Sequence, residues 1–307
     1  MRVIFMGTPD FAVGTLEAVI NAGHEVVLVV TQPDKPKGRG NTMTPPPVKE
    51  AALKHGLEVF QPKRVRNPEC VEHLREFNPD MIVVAAFGQI LPKEIIDMPK
   101  YCCINVHASL LPKYRGAAPI QWAVINGDET AGVTIMRMDV GLDTGDMIEK
   151  AEVTLAEDET GGSLFDKLAE VGAKLCVDTM AKIESGEAVF TPQDDSLATH
   201  VGMIDKSMGE IDFAKSAKEI ECLIRGLNPW PSAYTHIGGK TLKIWKAEAL
   251  DKKTDFKCGQ VCFVDKKSMH IQTGDGVLSL KEVQLEGKKR MEIDAFLRGF
   301  AVSEGDL

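Results

Sequence analysis

Residues 105 to 119 read Asn105-Val-His-Ala-Ser-Leu-Leu-Pro-Lys-Tyr-Arg-Gly-Ala-Ala-Pro119. The run that leads into them, Cys102-Cys-Ile-Asn-Val-His107, decides the fold. It is apolar and rich in β-branched residues, the composition of a buried strand. Side chains alternate faces along an extended strand, so Asn105 and His107 project together. They do so where the strand ends and a loop punctuated by Pro112 and Gly116 begins. In an open parallel sheet that carboxyl edge is where ligands bind. Taken singly, Asn at a strand end is a turn former and a lone His is a satisfied core or surface residue. Side by side at a sheet edge, an amide donor and an imidazole form a pair able to grip a carbonyl oxygen.

A second segment gives the pair weight. Met136-Arg-Met-Asp-Val-Gly-Leu-Asp-Thr-Gly-Asp146 follows the β-branched run Val133-Thr-Ile135 and carries three carboxylates, Asp139, Asp143 and Asp146. A carboxylate on such a loop orients a histidine and stabilises its cation, as the acid of a catalytic triad does. Without a serine or cysteine nucleophile in the set, the chemistry expected is activation of an acyl donor. The nucleophile then arrives with the substrate.

Outward from these segments, strands and helices alternate. Residues 2 to 7 read as a first strand, and Thr8-Pro9-Asp10 opens a helix ending near Gly23-His24. Glu25 to Thr31 is a second strand. A proline-rich loop follows, then a helix near 48–55, a short strand near 58–60, a helix near 69–77 and the strand Met81–Ala86. Beyond the Asn105 strand come a helix from about Pro119 to Asn126 and a long one from Ser163 to about Ser185. The expectation is an α/β fold with a Rossmann-like parallel sheet and right-handed crossovers. Residues 188–206 are polar and unpatterned and read as a linker after a domain spanning 1–187. From 207 to 307, a short helix near 215–226 and β-like runs separated by Gly238-Gly239, Asp265-Lys266 and Gly274-Asp-Gly276 suggest a small OB-like β-barrel domain.

Composition narrows the class. With 307 residues, 44% hydrophobic and 26% charged, the chain is an ordinary globular protein large enough for two domains. No run approaches the length of a membrane span. The apolar stretch before Asp10 is too short for the core of an export signal, so the expected location is the cytoplasm. The seven cysteines are scattered with no Cys-x-x-Cys, so reduced thiols are expected rather than a zinc site. No heptad pattern argues for self-association, and a monomer is expected.

The net charge of −9 is unevenly spread: residues 200–307 hold 17 Lys and Arg against 16 Asp and Glu. Within the acidic half, Lys35-Pro-Lys-Gly-Arg-Gly40 is a local cationic loop. On charge alone it is a solvated loop. Trp230, between Pro229 and Pro231, reads as a turn that buries its ring, with an exposed base-stacking platform as the other possibility. Trp245 reads as barrel core or rim, and Lys288-Lys-Arg290 as either a phosphate contact or a solvated turn.

Two other function classes fit less well. Gly7-Thr-Pro-Asp-Phe-Ala-Val-Gly14 sits where a nicotinamide-dependent oxidoreductase keeps its Gly-x-Gly-x-x-Gly turn. Pro9 and Asp10 occupy the turn instead, and Asp10 would repel a pyrophosphate at the helix start. A non-catalytic RNA-binding protein on a degenerate enzyme scaffold fits poorly, because Asn105, His107 and Asp143 are all present.

Asn105-Val-His107 with Ser109-Leu-Leu-Pro112, Arg115-Gly116 and Asp143 resembles the signature of 10-formyltetrahydrofolate-dependent formyltransferases. Gly7-Thr-Pro-Asp-Phe11, Thr31-Gln-Pro-Asp34, Gly116-Ala-Ala-Pro-Ile-Gln121 and Asn228-Pro-Trp-Pro231 are similar to the branch of that family acting on methionyl-tRNA. Cys102 stands where the family pattern has glycine. The resemblance runs nearly end to end. It implies formyl transfer from 10-formyltetrahydrofolate as co-substrate, with no metal, to the amino group of initiator methionyl-tRNA. It further implies Asn105, His107 and Asp143 as catalytic residues. The folate contacts implied are Ser109, Leu110, Leu111 and Pro112 together with Phe87, Gly88, Gln89, Ile90 and Leu91. Lys35, Lys37 and Arg39 become tRNA contacts, and residues 207–307 a tRNA-binding domain.

Overall fold

The computed structural model describes residues 1–38 and 40–307, with the Lys37 side chain also outside the description. The chain order is β1 (Arg2–Gly7), α1 (Asp10–Asn21), β2 (Glu25–Val30), β3 (Lys35–Lys37), β4 (Thr42–Thr44), α2 (Pro47–Lys54), β5 (Val59–Phe60), α3 (Pro68–Glu76), β6 (Met81–Ala85) and α4 (Lys93–Ile96). There follow β7 (Cys102–His107), β8 (Arg115–Gly116), α5 (Pro119–Ile125), β9 (Thr130–Arg137), β10 (Met147–Thr154), α6 (Gly161–Ser185) and β11 (His200–Val201). The remainder is α7 (Ala217–Gly226), β12 (Ala233–Ile237), β13 (Lys240–Leu250), β14 (Val261–Val264), β15 (Met269–Gln272), β16 (Val277–Leu285), β17 (Met291–Glu292) and α8 (Ile293–Gly299).

Two compact units emerge. One holds residues 1–116, 131–153 and 165–201, and the other holds 117–130, 154–164 and 202–307.

The first unit is built on a seven-stranded sheet in the order β10-β9-β7-β6-β1-β2-β5. Strands β5, β2, β1, β6 and β7 are mutually parallel, as the alternation of elements predicts. Val3, Ile4, Phe5 and Met6 on β1 are fully buried, as are Met81, Ile82 and Val83 on β6. Continuous apolar runs of this kind belong to parallel strands covered on both faces. Each such side chain contributes about 1.5–3 kcal/mol on burial. On one face, α1 meets α6: the ring of Phe11 stands edge-on to Phe165 at 5.6 Å. Gly172 lets α6 approach the sheet, since a Cβ there would lie 3.0 Å from Cγ1 of Val106.

One strand departs from the expectation of a parallel sheet. β9 runs antiparallel to β7, pairing His107 with Thr134 and Ile104 with Arg137. Its carboxyl end therefore lies beside the start of β7. Residues 138–146 fold back along the strand to reach the edge that bears His107.

The basic segment expected as a loop is a β-hairpin: β3 pairs with β4, matching Lys35 with Thr44 and Lys37 with Thr42. It leaves the sheet directly after β2, at the same carboxyl edge as Gly7, Ala85 and His107. Arg39 lies outside the described residues.

The second unit is an antiparallel sheet in the order β12-β13-β16-β15-β14, with β17 added to β16. Ile220 and Ile224 of α7 share its core with Leu242, Ile244, Val261, Ile271, Leu280, Val283 and Phe296. α7 starts with a capping box in which Ser216 and Glu219 satisfy each other's backbone N–H groups. Among the described residues no helix is long and apolar enough to cross a membrane.

Candidate active site

Asn105 and His107 share a face of β7, the first half-buried and the second 6% exposed. The imidazole is held on two sides. Its Nε2 lies 3.0 Å from the Tyr114 carbonyl oxygen, and since a carbonyl only accepts, Nε2 is the donor. That leaves Nδ1 as the nitrogen that exchanges a proton. It faces Oδ1 of Asp143 at 3.8 Å, an ion-pair distance whenever the ring is protonated.

Of the three loop carboxylates, only Asp143 is turned this way. Asp139 accepts from Gly141 N–H at 2.9 Å and from the Thr144 hydroxyl at 2.7 Å, closing the loop on itself. Asp146 pairs with Arg137. The second oxygen of Asp143 accepts the Gly116 N–H at 2.8 Å. Backbone strain concentrates in these loops: Ala86, Tyr114 and Asp143 all adopt positive φ, at 46°, 59° and 55°. Side chains other than glycine rarely do so, and such residues collect where the surroundings over-determine them.

The Ser109–Pro112 turn is tied down internally. The Ser109 hydroxyl donates to the Lys113 carbonyl at 2.6 Å. Thr134 Oγ1 bridges the turn, donating to the Ser109 carbonyl at 2.7 Å and accepting from Leu111 N–H at 3.1 Å. Lys150 donates to the Leu111 carbonyl, and burial holds its ammonium below the ordinary lysine pKa.

In the 87–91 segment the side chains divide. Phe87 and Leu91 pack into the core with Val30, Val84 and Ile95, whereas Ile90 is 79% exposed. Gln89 is committed to the scaffold, accepting from Val65 N–H and donating to the Pro62 carbonyl. What this segment offers a ligand is the exposed residues Ala86, Gly88 and Ile90.

The hairpin base is anchored by Asp34. Its carboxylate accepts from Lys49 Nζ at 2.9 Å and from Gln61 Nε2 at 2.7 Å. Those hydrogen bonds, Gln61's first and then Lys49's, hold the carboxyl below its ordinary pKa.

Sequence reasoning missed a third group. Residues 193–201, inside the segment read as a linker, form a strap across the site loops. Arg115 is 3% exposed, and its guanidinium donates to Gln193 Oε1 and to Asp195 Oδ1. Thr199 takes the Tyr114 N–H on its hydroxyl at 2.8 Å and the Arg115 N–H on its carbonyl. β11 then pairs with β8. No signal in the sequence marked this group, because the burial of the Arg115 charge, which demands partners, appears only in the fold.

In the second unit, Trp230 is 52% exposed rather than buried. Trp245 is half-buried, with its indole N–H donating to Gln284, the Arg290 guanidinium 4.8 Å from its ring and Lys243 Nζ 5.6 Å from it. Lys288 and Lys289 are exposed beside this stack.

The chain is similar to known proteins over almost its whole length. The formyl transferase family profile matches residues 1–180, and the formyl transferase C-terminal domain profile matches residues 203–301. The methionyl-tRNA formyltransferase of Agathobacter rectalis is 67% identical over 305 residues, covering 99% of this chain and 98% of the relative. That of Lachnospira eligens is 58% identical over 310 residues, covering 99% and 98%. Among solved structures, the N-formyltransferase of Helicobacter canadensis in complex with folinic acid and dTDP-3-aminofucose aligns with a TM-score of 0.70. At 18% identity, over 95% of this chain and all of that one, it shares the fold. The chain belongs to the formyl transferase family.

Proposed function

We infer that this chain transfers the formyl group of 10-formyltetrahydrofolate to the α-amino group of methionine esterified to initiator tRNA, the modification that prepares it for translation initiation. The end-to-end similarity to methionyl-tRNA formyltransferases carries this reading, and the disposition of Asn105, His107 and Asp143 supports it.

The chemistry follows from that disposition. The neutral amine attacks the formyl carbon, a C–N bond forms, and the carbonyl oxygen becomes an oxyanion. Asn105 donates a hydrogen bond to it, worth roughly 10²–10³ in rate, and protonated His107 stabilises it through its positive charge. Collapse breaks the C–N10 bond as protonated His107 gives a proton to N10, and the imidazole so freed takes the proton shed by the attacking amine, with Asp143 balancing the charge on the restored cation. The folate heterocycle would meet the Ser109–Pro112 turn and the exposed residues Ala86, Gly88 and Ile90. Polar backbone groups beside an apolar surface suit a flat ring with amide edges.

In this reading residues 1–187 are catalytic, 188–206 connect and 207–307 bind tRNA. Lys35, Lys37 and Arg39 hold the acceptor end by phosphate contacts. The stack of Lys243, Trp245 and Arg290 supports a backbone-binding role for the second unit. The protein acts as a cytoplasmic monomer.

The test is an acceptor screen with labelled 10-formyltetrahydrofolate. Methionyl-tRNA, glycinamide ribonucleotide and an amino-sugar nucleotide are offered in parallel. Label should pass to methionyl-tRNA, and label passing only to a small acceptor overturns the assignment.

A further inference from the structure

The carboxamide of Gln193 is completely used. Its Nε2 donates to two main-chain carbonyls of the loop that carries the carboxylate, Asp143 O and Gly145 O, both at 2.8 Å. Its Oε1 accepts from Arg115 Nε at 3.0 Å and from Arg115 Nη2 at 2.9 Å. These four hydrogen bonds also fix which way the amide points: flipped, its N–H groups would face a guanidinium and its oxygen two carbonyls.

Both ends of this bridge lead to the catalytic pair. Arg115 lies between Tyr114, whose carbonyl receives the His107 Nε2–H, and Gly116, whose N–H holds the Asp143 carboxylate at 2.8 Å. Asp143 itself sits at a φ of 55°, a conformation that local propensity does not favour. Something outside the loop has to hold it, and the hydrogen bond on its carbonyl does so.

We propose that Gln193 is a positioning residue for formyl transfer, its carboxamide locking the Asp143 loop to the Arg115 segment so that the Asp143 carboxylate meets Nδ1 of His107. The proposal rests on the functional reading above. Gln193 touches no reacting atom; it acts through Asp143. Holding a charged group to within about 1 Å of its productive place is worth up to about 100-fold in rate.

Gln193→Glu is the informative variant. It is isosteric and still accepts from Arg115, so the buried guanidinium keeps its partner. It loses both donors, however, and turns a carboxylate toward two carbonyls. With full-length protein, Q193E should lower kcat by about 10-fold or more, while KM for methionyl-tRNA and for 10-formyltetrahydrofolate stays near wild type. In the D143N background, Q193E should cost little further turnover, because residues acting through one another are not additive. A merely structural glutamine would lower the melting temperature and multiply with D143N.

Gln193→Asn, one methylene short of the carbonyls, repeats the test if Q193E does not fold. Wild-type kcat in both variants, or losses that multiply with D143N, overturns the proposal. A wild-type chain that leaves methionyl-tRNA unformylated overturns the functional reading instead, whatever the variants do.

Discussion

The carboxylate of Asp143 lies 3.8 Å from Nδ1 of His107, and its other oxygen accepts the Gly116 N–H at 2.8 Å. One oxygen thus serves the imidazole and the other anchors the group. Asp143→Asn removes the charge while keeping an acceptor for Gly116. Turnover should fall by about 10²-fold, the scale of a missing transition-state charge interaction. Asp139→Asn and Asp146→Asn should each cost less than about fivefold, because one carboxylate closes its own loop and the other forms a part-exposed ion pair. Steady-state kinetics on the three variants decides this, and equal losses in all three would remove Asp143 from its special place.

Asn105 and His107 stand on one face of β7 at the carboxyl edge of the sheet. Asn105→Ala and His107→Ala should each reduce kcat by at least about 10²-fold with little change in folate affinity. Turnover is read by formyl-methionyl-tRNA formation and affinity by equilibrium titration of the folate. Near-wild-type turnover in both variants would exclude the oxyanion role.

The parts of this site that were legible in the sequence are those fixed by local periodicity. Alternation along Cys102–His107 placed Asn105 and His107 together, and the alternation of strands with helices predicted the parallel sheet. The direction of β9 was not legible: a β-branched run looks the same in either orientation, and α5 before it resembles an ordinary crossover helix. Gln193 was invisible for a different reason. A polar residue in an unpatterned segment acquires meaning only when the chain brings it, 78 residues away in sequence, to the guanidinium of Arg115. The exposure of Trp230 likewise depends on what surrounds the two prolines, which composition does not encode.

Gly116 adopts a φ of 104°, and a Cβ built on it would lie 2.5 Å from the Val201 carbonyl oxygen. Gly116→Ala therefore meets both backbone strain and a collision with the strap. It should lower thermal stability by about 1–3 kcal/mol and reduce kcat, because the N–H that holds Asp143 moves with the backbone. Thermal melting and turnover are measured together. A variant as stable and as active as wild type would mean that β8 and β11 separate without consequence.

Asp34 is held below the ordinary carboxyl pKa by hydrogen bonds from Gln61 and Lys49. A depressed folded-state value means that the ionised latch contributes stability above the unfolded value, about 3.9 for aspartate, and loses it as pH falls through the lower folded value. Asp34→Asn should lower the melting temperature by a constant amount at neutral and mildly acidic pH. The gap to wild type should narrow once the pH is taken below about 4. A gap that persists unchanged in acid would show that charge is not what the latch uses.

In the proposed function, the hairpin that Asp34 anchors is what grips the acceptor end of the tRNA. Lys35→Ala, Lys37→Ala and Arg39→Ala should raise KM for methionyl-tRNA and leave folate affinity intact. β2, which leads into the hairpin, is separated from β7 by β1 and β6 in the sheet, so β7 is not disturbed. Removing one phosphate-binding cation should reduce the log–log salt dependence of tRNA binding by somewhat under one, because one fewer counterion is released. Arg39 is the first to change, because a guanidinium holds phosphate in a fixed fork and the glycines on either side let the chain adapt. The controlling measurement is hydrolysis of the formyl donor without tRNA. If the Arg39 variant loses that activity as severely as it loses tRNA formylation, the hairpin supports the fold of the site rather than gripping the acceptor.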